Sequence, residues 1–379
     1  MSLSDRWNSI LETLQAQGRY RALKAPTGID FCSNDYLGYA SSRLPSSPSP
    51  VLAQSRQEEK KFPRSGTASR LLRGHHRLWD EVESTLARWH GAEATLIFNS
   101  GYVANEGLLS TVIEPGDWVA SDERNHASII DGLRMAKAER FIFRHQDLNQ
   151  LEDGLRHRAR ICPAGREMFV VTEALFGMEG DLTPLSQMIE LTHRFGSHLI
   201  VDEAHSTGCF GPRGAGCVDE QGLRSRVLAT LHTGGKALGV AGAYICGPSK
   251  LRDLMINRCR HLIFTTALPP VVACWWLDAI GQVRADDEGR RLLHNNAAFF
   301  RQELARHGVR ASGEHYIAPL ILGEDERTAQ AAQRLQAAGW DVRAIRPPTV
   351  PQDTSRLRIS VHADHSREAL AALAEALRA

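Results

Sequence analysis

A chain of 379 residues, 42% hydrophobic and 23% charged, is long enough for more than one domain and a sizeable core. Lys and Arg number 45 against 44 Asp and Glu, and a formal net charge of +1 leaves no electrostatic case for a nucleic-acid or anionic-membrane partner. Seven scattered cysteines, an odd count without a CxxC pair, argue against a disulfide framework or a zinc site and suit a reducing, cytoplasmic compartment.

The first twenty residues contain no uninterrupted apolar run and do not read as a signal peptide; Trp7, Ile10, Leu11 and Leu14 fall at helical spacing. No stretch approaches the ~20 apolar residues of a membrane span. SSRLPSSPSP at 41–50 reads as a loop. The spacing in DEVESTLARWH predicts a helix over 80–90, ATLIF a short buried strand over 94–98, and a further helix from about Val103. Apolar runs recur in MFVVTEA from Met168, SHLIVDEAH from Ser197 and RVLATLH from Arg226. Short strands apolar on both faces and separated by helices indicate an α/β fold with a mostly parallel sheet. In the tail, APLILG, DVRAIR and RLRISV alternate with the helical stretches ERTAQAAQRLQAAG and SREALAALAEALRA, as in a smaller α+β domain. The expected division is an N-terminal arm at 1–45, a large domain at 46–275 and a small domain at 276–379.

Five constellations carry chemistry. In HTGGKALG, two glycines precede Lys236 in a loop after a strand and let the backbone turn tightly enough to bring the amine to a ligand; a lysine in a flexible surface turn is the plainer alternative. In HLIVDEAHSTG, four apolar residues deliver Asp202 to a strand's carboxyl end, where open α/β sheets bind ligands. There a carboxylate can pair with a protonated heterocycle nitrogen, a contact worth ~4 kcal/mol before desolvation, which would make pyridoxal 5′-phosphate (PLP) an electron sink. His205, three residues on, is placed to stack or hydrogen-bond nearby. The same run resembles the acidic strand end of DEAH-type ATPases, but the GxxxxGK[ST] loop such enzymes need is missing. In LIFNSGYVANEG, Ser100, Gly101 and Tyr102 lead into a helix whose free N–H groups suit a phosphate. His126 in DERNHASII is a candidate to stack on a cofactor ring, though a lone histidine is more often structural. Arg346, Arg356 and Arg358 are candidates to grip a carboxylate.

Together the ordered runs NDYLG, SGTASRLLRG, NSGYVAN, NHASI, TEALFGMEGD, DEAHSTG, TGGKALG, FTTALPP, RPPTVP and RLRISV, from Asn34 to about His365, resemble the α-oxoamine synthases, PLP enzymes of the aspartate-aminotransferase-like fold type I. The resemblance implies that Lys236 binds the cofactor covalently, Asp202 pairs with its ring nitrogen, His205 contacts its phenolic oxygen and His126 stacks on its ring. Ser100, Gly101, Tyr102 and Thr233 would surround the phosphate. Thr265 and Thr266 would reach the phosphate of the neighbouring subunit of a homodimer. Arg358 would take the amino-acid carboxylate, Arg19 and Asn34 would lie near the substrate, and Arg346 would touch the acyl group. The implied reaction is the decarboxylative condensation of L-alanine with a pimeloyl thioester of acyl carrier protein or coenzyme A, a step of biotin biosynthesis, with glycine C-acetyltransferase chemistry as the alternative. Two departures stand out: Gly177 where relatives usually carry serine, and Trp79 where histidine is common.

Overall fold

The computed structural model describes residues 1–41 and 62–378; beyond Ser41, the loop expected at 41–50 lies outside them. Contacts divide the chain into two units. The larger comprises Leu37–Phe176 and Leu182–Arg291, the smaller Met1–Tyr36, Gly177–Asp181 and Leu292–Ala379.

The larger unit is built on seven strands: β1 (Ala94–Phe98), β2 (Trp118–Asp122), β3 (Glu139–Phe143), β4 (Met168–Glu173), β5 (His198–Asp202), β6 (Ala229–Thr233) and β7 (Ala243–Gly247). Their order is β1-β7-β6-β5-β4-β2-β3, and only β7 runs antiparallel to its neighbours. All six residues of β4 are buried, as a parallel strand covered on both faces requires. Leu96, Val171, Ile200, Leu231 and Ile245 meet Leu108 and Leu133 in one core, each side chain contributing about 1.5–3 kcal/mol by leaving water. The register sets Glu173 opposite Asp202 and Asp202 opposite Leu231, so β4, β5 and β6 end on a common edge. Helices α1 (Arg77–His90), α2 (Gly101–Val112), α3 (Ala127–Ala136), α4 (Leu148–Ile161), α5 (Leu185–Arg194), α6 (Ser249–Arg258) and α7 (Pro270–Ala285) complete it.

The α/β expectation holds, with differences in detail. Helix α2 starts at Gly101 rather than near Val103, because Ser100 accepts the Val103 N–H as its cap. Strand β6 starts at Ala229 because residues 224–226 form a 3₁₀ turn. Strands β2, β3 and β7 were not anticipated; β3 is a largely exposed edge strand without the apolar run that marks its neighbours.

In the smaller unit, the part of α8 (Asp287–Arg306) from Leu292 onward precedes a three-stranded antiparallel sheet, β8 (Ile317–Gly323), β9 (Ala344–Ile345) and β10 (Ser355–Ser360), in the order β9-β10-β8. Helices α9 (Asp325–Ala337) and α10 (Arg367–Ala376) follow β8 and β10. DVRAIR is not one strand: Trp340–Asp341 pairs in parallel with Ile29–Asp30, whereas β9 pairs with β10. That first pairing groups the N-terminal residues with the tail. Residues 276–285 group instead with the larger unit, since α7 packs on α1. The helix Leu3–Ala16 begins at a capping box between Ser2 and Asp5, but none of its residues is buried. No helix of the described residues is long and apolar enough to cross a membrane.

Candidate active site

The carboxyl edge of the larger sheet gathers most of the residues singled out above. Lys236 lies in the loop after β6, half-buried, with its Nζ 2.8 Å from His205 Nε2. Asp202 closes β5 and is 6% exposed. Its Oδ1 accepts the Ala204 N–H at 2.8 Å, and its Oδ2 accepts from Asn105 Nδ2 at 2.7 Å. Among the described residues no cation pairs with it. His126 caps α3, its backbone N–H donating to Glu173 Oε1 at 2.8 Å. Burial pushes its imidazole below the ordinary histidine range, and the Lys236 charge adds to this while the Asp202 charge opposes it.

Ser100 caps α2. A Cβ at Gly101 would sit 3.6 Å from the Thr233 side chain, so this helix start borders the Lys236 loop. Thr233 Oγ1 accepts the Gly235 N–H at 3.4 Å and donates to Gly242 O at 3.3 Å, tying β6 to that loop. The Tyr102 ring stands edge-on to His126 at 6.0 Å, its hydroxyl donating to Asp131. Thr265 and Thr266 are drawn to Asn99, whose Nδ2 lies 3.3 Å from Thr265 Oγ1 and 2.9 Å from Thr266 O.

In the smaller unit, Arg358 is a strand residue only 5% exposed. Its guanidinium donates to Gly177 O, to Ser360 Oγ at 2.9 Å, to Asn34 Oδ1 at 2.9 Å and to Tyr36 Oη at 3.0 Å. Every one of these acceptors is neutral, and no carboxylate of the described residues pairs with it. Arg356, two residues earlier on the same face of the strand, pairs with Glu179 Oε1 at 3.1 Å. Spacing could not choose between these arginines; their partners do. Arg19 is bound to Asp325 at 2.6 Å. Arg346 donates to Gly18 O and lines an open cleft of about 500 Å³ with Tyr20, Arg21, Lys24, Gln336 and Arg343. Among the described residues no Asp or Glu lines that cleft. Of the two departures, Gly177 serves Arg358 through its carbonyl, and Trp79 is 1% exposed with an indole N–H that finds no acceptor among the described residues.

The sequence reading passed over Asn105, Ser128, Glu173, Tyr36 and Ser360. All five sit inside the quoted motif runs, but nothing in their residue type or spacing marks them as site residues. Glu203, the acid an ATPase would need, is fully buried: burial pushes its carboxyl up to about 7, and it accepts the N–H groups of Cys217 at 2.9 Å and Val218 at 2.7 Å. It fastens the loop at Cys217 and Val218.

Residues 26–377 match the family model for aminotransferase class I and II. A putative 8-amino-7-oxononanoate synthase of Geobacillus kaustophilus is 41% identical over 360 residues, covering 94% of this chain and 90% of the relative. The 8-amino-7-oxononanoate synthase of Chlorobaculum parvum is 39% identical, over 98% of this chain and 94% of the relative. Among solved structures, a serine palmitoyltransferase from S. paucimobilis with bound PLP–myriocin aldimine superposes with a TM-score of 0.89 at 28% identity, covering 100% of this chain and 98% of that one. An 8-amino-7-oxononanoate synthase from Francisella tularensis gives 0.76 at 25% identity, over 93% and 97%. With almost its whole length matched in this way, the chain belongs to the aminotransferase class I and II family and is related within it to the 8-amino-7-oxononanoate synthases.

Proposed function

We propose that the protein is a PLP-dependent 8-amino-7-oxononanoate synthase, joining L-alanine to a pimeloyl thioester with release of CO2 and the thiol. The observation that carries this reading is two buried charges, the Asp202 carboxylate and the Arg358 guanidinium, each without a counter-charge among the described residues. An isolated buried ion is costly, so each marks a place where a ligand of opposite charge completes the fold. PLP and an amino acid bring those charges: a protonated ring nitrogen for Asp202 and a carboxylate for Arg358. The remaining donors fit PLP as well. Lys236 supplies the primary amine that would hold it covalently, and the start of α2 with Ser100 and Thr233 supplies N–H and hydroxyl donors for its phosphate.

Bound PLP supplies an electron sink that stabilises a carbanion at the amino-acid Cα. The chain's own residues do the rest. Arg358 orients the amino acid by its carboxylate. Lys236 Nζ accepts the Cα proton and later returns one to the same carbon. His205 Nε2, within hydrogen-bond reach of that amine, steadies it and donates toward the thioester oxygen. The new bond joins Cα to the acyl carbon, the C–S bond breaks to release the thiol, and the carboxylate leaves as CO2.

In this reading Asn34 and Arg19 support the substrate side, Asn34 through its bond to Arg358 and Arg19 through its pair with Asp325. The cation-lined cleft at Arg346 receives the acyl thioester, whose carrier is acyl carrier protein or coenzyme A. The enzyme works in the cytoplasm as a homodimer in which Thr265 and Thr266 reach the partner's cofactor phosphate. Phe264, 70% exposed beside them, suits a surface covered by a second subunit. The test is product formation by the purified protein with PLP, offered L-alanine, glycine or L-serine against acyl thioesters of several lengths. Turnover confined to L-alanine and pimeloyl thioester is expected; equal turnover of glycine with acetyl thioester would replace this reading with the acetyltransferase one.

A further inference from the structure

Behind Asp202 and His126 runs a chain of hydrogen bonds through two residues that the motifs left without a role. Asn105, in the second turn of α2, is 3% exposed, and its Nδ2 lies 2.7 Å from Asp202 Oδ2 and 2.9 Å from Ser128 Oγ. Ser128 Oγ lies 2.7 Å from His126 Nδ1, and the Ser128 backbone N–H points at the same ring nitrogen from 3.2 Å.

Donor counting fixes the protons along this chain. An amide nitrogen carries two hydrogens and offers no acceptor. One goes to the carboxylate and the other to the hydroxyl. Turning the amide over would set its oxygen against Asp202, two acceptors face to face. Ser128 Oγ therefore accepts from Asn105 and has one lone pair and one hydrogen left. The Ser128 N–H can only donate, so Nδ1 accepts and is bare. The hydroxyl hydrogen then goes to Nδ1 as a second donor, and the neutral ring carries its proton on Nε2.

We propose that Ser128 fixes His126 as the Nε2–H tautomer through its N–H and hydroxyl, and that Asn105 is a positioning residue, orienting both the Asp202 carboxylate and the Ser128 hydroxyl. Protonating Nδ1 would set its N–H against the Ser128 N–H and take from the Ser128 hydroxyl hydrogen its acceptor. The chain therefore keeps positive charge off His126, so the ligand's ring nitrogen does not share Asp202 with an imidazolium. The significance of this for catalysis rests on the proposed function; the tautomer itself does not, since it is a property of the protein alone.

The experiment is the ¹⁵N spectrum of the histidine ring nitrogens in the full chain, recorded before and after addition of PLP, with the His126 signals assigned by their loss in His126→Asn. In the native protein, Nδ1 is expected at the unprotonated position and Nε2 at the protonated one at neutral pH, with or without PLP. Asn105→Ala leaves the Ser128 N–H on Nδ1, so the Nε2–H tautomer should persist with a displaced Nδ1 signal as the Ser128 hydroxyl loses its orienting donor, and kcat/KM for L-alanine should fall about 10-fold. Ser128→Ala should leave the Asn105–Asp202 contact and remove one of the two Nδ1 donors, displacing the Nδ1 signal further while kcat/KM falls less, which separates the two contacts of Asn105. An Nδ1–H or imidazolium signal in the native protein, or an Nδ1 signal unmoved in both variants, overturns the proposal. Failure to bind PLP with the native tautomer in place would count against the proposed function instead.

Discussion

The two units bury charges of opposite sign and hold them by different means. Asp202 ends a parallel strand and takes its first partner, the Ala204 N–H, from the turn that follows. Arg358 lies within an antiparallel strand, and its acceptors come from residues 34, 36, 177 and 360, three separate stretches of chain. A carboxylate needs only two or three donors, so a strand end and one turn present it and a single distant donor, here Asn105, completes it. A guanidinium spreads five donors over a plane and needs acceptors from several directions. One motif can announce the first kind of site, whereas the second needs a fold.

The largest expected effect lies on the larger unit's side of this contrast. Lys236→Ala should lower turnover by on the order of 10³-fold or more and abolish borohydride-stable attachment of PLP, read by product assay and mass spectrometry. Asp202→Asn keeps shape and removes charge. It should lower kcat by roughly 10²–10³-fold, yet the cofactor-free protein should unfold at the same or a higher temperature, because a buried charge without a counter-charge is gone. A clear fall in that unfolding temperature would mean Asp202 is structurally compensated and would break the comparison.

On the other side, Arg358→Lys retains charge and loses the planar fork. Steady-state kinetics should show kcat/KM for L-alanine down by about 10²-fold. Arg346→Ala should raise KM for the acyl thioester about 10-fold and leave KM for L-alanine unchanged; equal effects on both would place Arg346 with Arg358 rather than with the cleft.

The smallest effect concerns pH and the smaller unit's stability. His365 accepts the His362 N–H on Nδ1 at 3.1 Å, and its Nε2 lies 2.7 Å from Asp30 O. Burial, reinforced by the His362 charge, lowers its imidazole from 6.5 to about 4. A folded value below the unfolded one means the neutral form is favoured by folding. That stability is complete above about pH 6.5 and is lost as pH falls toward 4, amounting to at most ~3 kcal/mol. Thermal unfolding of the native protein and His365→Asn should therefore differ most near pH 7 and converge near pH 4.

Much of the larger unit was legible because its signals are local. ATLIF and MFVVTEA mark buried strands by unbroken apolarity, and HTGGKALG shows its turn by its glycines. The edge strand β3 escaped notice because half-solvated strands lack that run. The choice of Arg358 over Arg356 was legible only through the family resemblance and not from spacing, since both occupy the same face of one strand and only Glu179, remote in sequence, separates their partners.

Residue order alone determined the fold class, the lysine loop and the strand-end acid, because each depends on periodicity or spacing within about ten residues. The tertiary structure alone decided which arginine stays without a carboxylate partner, which asparagine holds Asp202, and where the His126 proton resides. Those outcomes depend on donors and acceptors from distant segments meeting at about 3 Å, a distance that only the packed chain sets.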